Sequence, residues 1–134
     1  MILVIGGSNQ GKLHWALREF DCRPEQVLDG GSLAIIPGQS LPLGEYRVLN
    51  HLESLLQNVL QQNFSADDMA ALQNFLLKLP EDFVVICNSV GGGLVPLERF
   101  EREWRELVGR TCCALAAEAG QVWRIFCGLP QRLK

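Results

Sequence analysis

The chain has 134 residues, nearly half of them apolar, and a formal charge of -3, which suits one domain over residues 1–134 with a sizeable core. Its slightly acidic balance and scattered Arg and Lys exclude the basic stripe of a general nucleic-acid binder. No apolar run approaches the ~20 residues of a membrane span, Met1 runs into a strand pattern without the basic start of an export signal, and the five cysteines lack metal-ligand spacing, so a reduced, cytoplasmic setting is expected.

Ile2-Leu3-Val4-Ile5 is short, continuous and rich in β-branched residues, the pattern of a strand buried on both faces. Gly6 through Gly11 breaks it, and Lys12 to Phe20 follows as a helix. A second strand is expected near Gln26 to Leu28. The Gly- and Pro-rich stretch from Asp29 to Glu45 reads as loop, with room for a strand at Ala34 to Ile36. Tyr46 to Leu49 reads as another strand, leading into a helix with Leu52, Leu55, Leu56, Val59 and Leu60 on one side.

Ser65 and Asp68 look like the start of a further helix, a capping box with Asp in place of Glu. That helix would bury Met69, Leu72, Leu76 and Leu79 and end near Pro80. Phe83 to Cys87 is the clearest central strand, and Asn88 to Leu97 a second glycine-rich loop. The longest helix spans Glu98 to Glu118, with Phe100, Trp104, Leu107, Val108 and Leu115 facing inward. Glu98 with Arg102, Glu101 with Arg105 and Glu106 with Arg110 have the spacing of i,i+4 pairs on its wet side. Val122 to Cys127 is the last strand, and Cys87 and Cys127 read as small buried hydrophobes. The alternation implies an α/β fold, a mostly parallel sheet with helices on both faces.

Gly6-Gly7-Ser8-Asn9-Gln10-Gly11-Lys12 satisfies G-x-x-x-x-G-K between a strand and a helix. Glycines let successive N–H groups curl toward phosphate oxygens, and the helix adds its positive N-terminal end. Lys12 would reach the β- and γ-phosphates. The next position in such loops carries a Ser or Thr that ligates magnesium; here it is Leu13, which has no side-chain oxygen. The second loop, Asn88-Ser89-Val90-Gly91-Gly92-Gly93-Leu94-Val95-Pro96, would lie at the same carboxyl edge, where ligands of open α/β sheets bind. It reads equally well as a tight strand-to-helix connection that requires glycine for backbone reasons.

These residues resemble the P-loop adenosylcobinamide kinase/adenosylcobinamide-phosphate guanylyltransferases of cobalamin biosynthesis. Ile2 to Lys12 is similar to that family's strand and G-G-x-x-x-G-K opening, and Asn88 to Pro96 to its N-E-V-G-x-G-I-V-P segment, continuing through Arg99, Gly109 and Arg110. Val48 to Leu60 resembles its D-C-L-T-x-W-x-x-N-L-L segment, with Asn58 on the asparagine. Val122-Trp123 and Cys127-Gly128-Leu129-Pro130 resemble its closing strand and tail. The resemblance implies a P-loop NTPase-like fold, ATP or GTP as cofactor, a cobinamide-like substrate and a homo-oligomer.

The departures fall on chemistry. Leu13 stands at the family's magnesium-binding Ser, Asn50 at an Asp ending a strand, Ser89 at the Glu of N-E-V-G, and Leu17 at an acidic residue. The chain is also shorter before Tyr46, where the family carries the histidine that accepts the guanylyl group; neither His14 nor His51 matches it. Both histidines read as structural. Glu53 is the carboxylate nearest Asn50 but reads as a solvated helix residue. Phosphoryl transfer relies on a metal to offset phosphate charge, so loss of both groups argues against magnesium. The expectation is a nucleotide- or phosphate-binding relative, a pseudoenzyme with kinase activity weak or lost, guanylyl transfer lost and no catalytic residue assigned. Candidate contacts are Gly6 to Lys12, with Asn88, Ser89 and Gly91. The competing reading is an active kinase on cobinamide or a related alcohol, its metal held by substrate phosphates, water and a residue such as Glu53.

Overall fold

β-Branched and leucine side chains alternate to opposite faces of β1 (Ile2–Gly6), and each face is covered. The structure, a computed structural model, describes residues 1–91, 94 and 98–134. Gly92, Gly93, Val95, Pro96 and Leu97 of the second loop lie outside them. After β1 come α1 (Lys12–Glu19), a 3₁₀ turn (Pro24–Gln26), β2 (Val27–Asp29), β3 (Val48–Asn50), α2 (Leu52–Gln61) and α3 (Ala66–Leu77). β4 (Val84–Asn88), α4 (Arg99–Glu118), β5 (Gln121–Phe126) and β6 (Leu129–Arg132) complete the order.

The strands form one sheet in the order β2-β3-β4-β1-β5-β6, parallel except for the β5–β6 hairpin. The expected α/β class, mostly parallel with helices on both faces, is what forms. Ile2 and Val4 look toward α1 and pack with Ala16, Ile86 and Ile125. Leu3 looks the other way, into a larger core with Val85 and Val122 of the sheet, Leu52, Leu55 and Leu56 of α2, Leu76 of α3 and Leu115 of α4. Leu52, Leu55, Leu56 and Val59 are fully buried, as their helical spacing predicts.

Several details differ from expectation. Ala34 to Ile36 forms no strand; Ile35 is buried from within a loop. A sixth strand, β6, doubles back on β5 through Cys127-Gly128, both at positive φ (51° and 75°), the two-residue turn whose twist suits a hairpin. Cys127 is therefore exposed, not a buried hydrophobe, whereas Cys87 is buried as read. Ser65 does cap α3: its Oγ accepts from Asp68 N at 3.1 Å, while its hydroxyl donates to the Asp68 carboxylate at 2.7 Å. Along α4, Glu106 pairs with Arg110 as spaced, Arg99 pairs with Glu103 at 2.6 Å, and Arg105 donates to the Leu94 carbonyl at 2.7 Å.

Candidate functional site

The parallel strands end together at their carboxyl edge, where β1, β3 and β4 deliver Gly6, Asn50 and Asn88. Gly6 leaves β1 beside the neighbouring strand: a Cβ there would stand 2.4 Å from the Ile125 carbonyl oxygen, so only glycine fits. Gly11, at φ 85°, turns the loop into the first turn of α1. The loop is clamped from outside by the β5–β6 turn, since Cys127 N donates to Gln10 Oε1 (2.7 Å) and Gly128 N to the Gln10 carbonyl (2.8 Å). From the other side Ser89 N donates to the Gly6 carbonyl at 2.8 Å.

Lys12 is 6% exposed and folds back over this loop, donating from Nζ to the Gly7 carbonyl at 2.5 Å. Burial pushes its pKa below the ordinary value, and the charge of Glu53 partly opposes that shift. An ammonium retains two further N–H donors, which suits it to an anion entering beside the loop.

A cleft of about 360 Å³ opens here, with residues 8–14 on one wall and Asn50, His51 and Asn88 on the other. Ser89 and Gly91 do not line it, and neither do Gly6 and Gly7. Leu13 lines the cleft and also packs against the core beneath α1. Asn50 accepts from Gly30 N at 2.8 Å through its backbone carbonyl.

Glu53 departs most from expectation. It is 4% exposed, not solvated. Its carboxylate accepts from Asn88 N (2.9 Å), Asn88 Nδ2 (2.8 Å) and His51 Nδ1 (3.1 Å). Its backbone carbonyl accepts from Trp104 Nε1 at 2.8 Å, so the inward stripe of α4 also anchors α2. His51 precedes α2 in the left-handed region (φ 58°, ψ 52°) with its side chain 44% exposed. Asn58 reaches back from α2 to the Gly31 carbonyl at 3.2 Å. Behind Asn88, a hydrogen bond with Cys112, and after it burial, push the Cys87 thiol above its ordinary pKa.

Magnesium does not fit the side chains present. Leu13 offers no oxygen, Asn50 only a neutral amide, and the carboxylate of Glu53 is engaged three times over. Among the described residues no group of three His, Cys, Asp or Glu side chains could hold a metal ion. The glycine loop, the N-terminus of α1 and buried Lys12 converge on this one cleft. No helix among the described residues is long and apolar enough to cross a membrane.

Comparison with known proteins covers part of this site. Residues 40–133 match the model of the CobU family, described as cobinamide kinase / cobinamide phosphate guanyltransferase. The chain is 37% identical over 57 residues to the bifunctional adenosylcobalamin biosynthesis protein CobU of Escherichia coli (strain K12), covering 42% of this chain and 32% of that protein. It is 34% identical over 68 residues to the protein of the same description from Salmonella typhimurium (strain LT2), covering 51% of this chain and 38% of the relative. These alignments thus span about a third of the curated relatives' length. The family match begins beyond the glycine loop, so the loop's assignment rests on its own geometry.

Proposed function

The chain belongs to the cobinamide kinase / cobinamide phosphate guanyltransferase family, and on that premise we propose that it is a P-loop protein binding ATP, GTP or a simpler phosphate within cobalamin biosynthesis. Kinase activity is weak or lost, and guanylyl transfer is lost. The contacts are the loop Gly6, Gly7, Ser8, Asn9, Gln10, Gly11 and Lys12, with Asn88 at the far wall. Ser89 and Gly91, the other second-loop candidates, do not line the cleft. The observation carrying this reading is the cleft itself: an intact glycine loop and buried Lys12 face Leu13 and Asn50, neither of which supplies a charged oxygen.

The alternative of an active kinase using Glu53 as a substitute metal ligand finds less support, because each Glu53 oxygen is already bound to Asn88 and one also to His51. We place the protein in the cytoplasm as one domain over residues 1–134. A second copy of the chain is the proposed partner at the β5–β6 edge, where Phe126 and Leu129 are 63% and 70% exposed; the mass in solution checks it. The functional test is turnover: incubation with adenosylcobinamide, ATP and magnesium should yield little or no phosphorylated product. Steady phosphorylation at ordinary kinase rates, about 1–100 per second, would replace this reading with the active-kinase one.

A further inference from the structure

The cleft beside the glycine loop is lined by no Asp or Glu among the described residues; its ionisable lining groups are Lys12, His14 and His51. A nucleoside polyphosphate brings several negative charges, more than one lysine offsets, and neither Leu13 nor Asn50 supplies a charged oxygen for magnesium. His51 stands on the wall opposite Lys12 and is held there in an unusual way. Its Nδ1 lies 3.1 Å from a Glu53 oxygen, and Glu53 is itself fixed by two bonds from Asn88. The ring is therefore oriented by a buried carboxylate that cannot readily move, leaving Nε2 at the opposite edge of a ring that is 44% exposed.

The backbone adds a second observation. His51 is a non-glycine residue in the left-handed region, a conformation that Gly or Asn would adopt more cheaply. Helix entry alone does not call for an imidazole there. Glu53 of its own helix holds Nδ1, and Lys12 and His14 of α1 and the uncharged Asn88 of β4 line the same cleft. Glu53 also acts electrostatically on Lys12, so one buried carboxylate connects the lysine and the His51 ring.

We propose that His51 is a phosphate-binding residue of a metal-free cleft, its imidazolium paired through Nδ1 with Glu53 and donating from Nε2 to a phosphate oxygen held by Lys12 and the glycine loop. The ligand class is a phosphate ester or nucleoside polyphosphate taken up without a divalent cation. This role rests on the phosphate-binding reading above. His51 then meets phosphate charge at the wall where Asn50 brings no metal-binding carboxylate.

The test is calorimetric titration of ATP in EDTA into the wild type, His51→Asn and Lys12→Ala. Asparagine tolerates the left-handed backbone and keeps an N–H donor for Glu53, so the variant removes the cation and little else; an unchanged melting curve checks this. Loss of a charge-assisted contact should weaken binding by about tenfold or more, and Lys12→Ala should bind no ATP. If His51→Asn binds as tightly as the wild type while Lys12→Ala does not bind, the role of His51 is wrong and the phosphate site stands. Wild type that binds no ATP in EDTA overturns both. Nitrogen-15 spectra of the histidine rings give a reading independent of any variant: ATP should shift Nε2 of His51, and an unmoved resonance contradicts the proposal.

Discussion

Replacing Glu53 with Ala tests the most consequential contact set in the site. The carboxylate is 4% exposed and accepts three hydrogen bonds, two from Asn88 and one from His51. His51 is half-exposed and can turn to water, so its loss weighs little. The Asn88 N–H and side-chain amide are partly buried and would be left facing a small cavity. A donor stranded in this way costs about 1–3 kcal/mol, and Asn88 has two of them. For a chain of this size that corresponds to a fall in Tm on the order of 10–20 °C. Lys12 also loses the neighbouring charge that opposes the effect of burial, so its pKa should fall further. Urea unfolding followed by circular dichroism gives the stability change. A loss within about 0.5 kcal/mol, as expected for an exposed helix residue, would refute the reasoning.

Gly6→Ala places a methyl 2.4 Å from the Ile125 backbone oxygen; a loss of about 2 kcal/mol or more is expected, together with loss of phosphate affinity, by thermal melts and calorimetry. For Lys12, burial moves the pKa down from the ordinary 10.5, so between the lowered value and 10.5 the unfolded chain keeps a proton that the folded lysine has released. Stability from this group therefore rises with pH across that window and is depressed below it, while phosphate affinity falls as the ammonium is lost; titrations between pH 7 and 10 on the wild type and Lys12→Ala should show both trends only in the wild type. Thr111 is buried with no hydrogen-bond partner for its hydroxyl among the described residues, so Thr111→Val should raise stability by about 1 kcal/mol, and a loss of similar size in denaturant unfolding would show a missed partner. In a Leu13→Ser, Asn50→Asp double variant, nucleotide binding should become magnesium-dependent; calorimetry that finds no change counts against those two positions as the reason for metal independence.

What the sequence discloses follows the range of the forces involved. The glycine loop is legible because its chemistry is local: seven successive residues after a strand specify their own curl. The buried faces of α2 and α3 are legible because Leu52, Leu55, Leu56, Leu72 and Leu76 repeat with the helical period. Glu53 is not, since its partner Asn88 arrives from 35 residues away, and nothing near Glu53 distinguishes it from an ordinary carboxylate in a first helical turn. Arg105 likewise bonds to Leu94 in the preceding loop rather than following helical spacing alone. The β5–β6 hairpin did have a signal: Cys127-Gly128 between two strand-like runs is a two-residue turn, hidden by a cysteine that resembles an apolar strand residue. His51 carried none, because its importance comes from the left-handed backbone and from a carboxylate two residues on that is buried rather than solvated.

The central claim is that the cleft holds phosphate without a divalent metal. The most direct measurement is the affinity of the wild-type protein for ATP by calorimetry, once with magnesium in excess and once with EDTA. Equal affinity in the two, abolished by Lys12→Ala, is the predicted result. Binding that appears only with magnesium would contradict it.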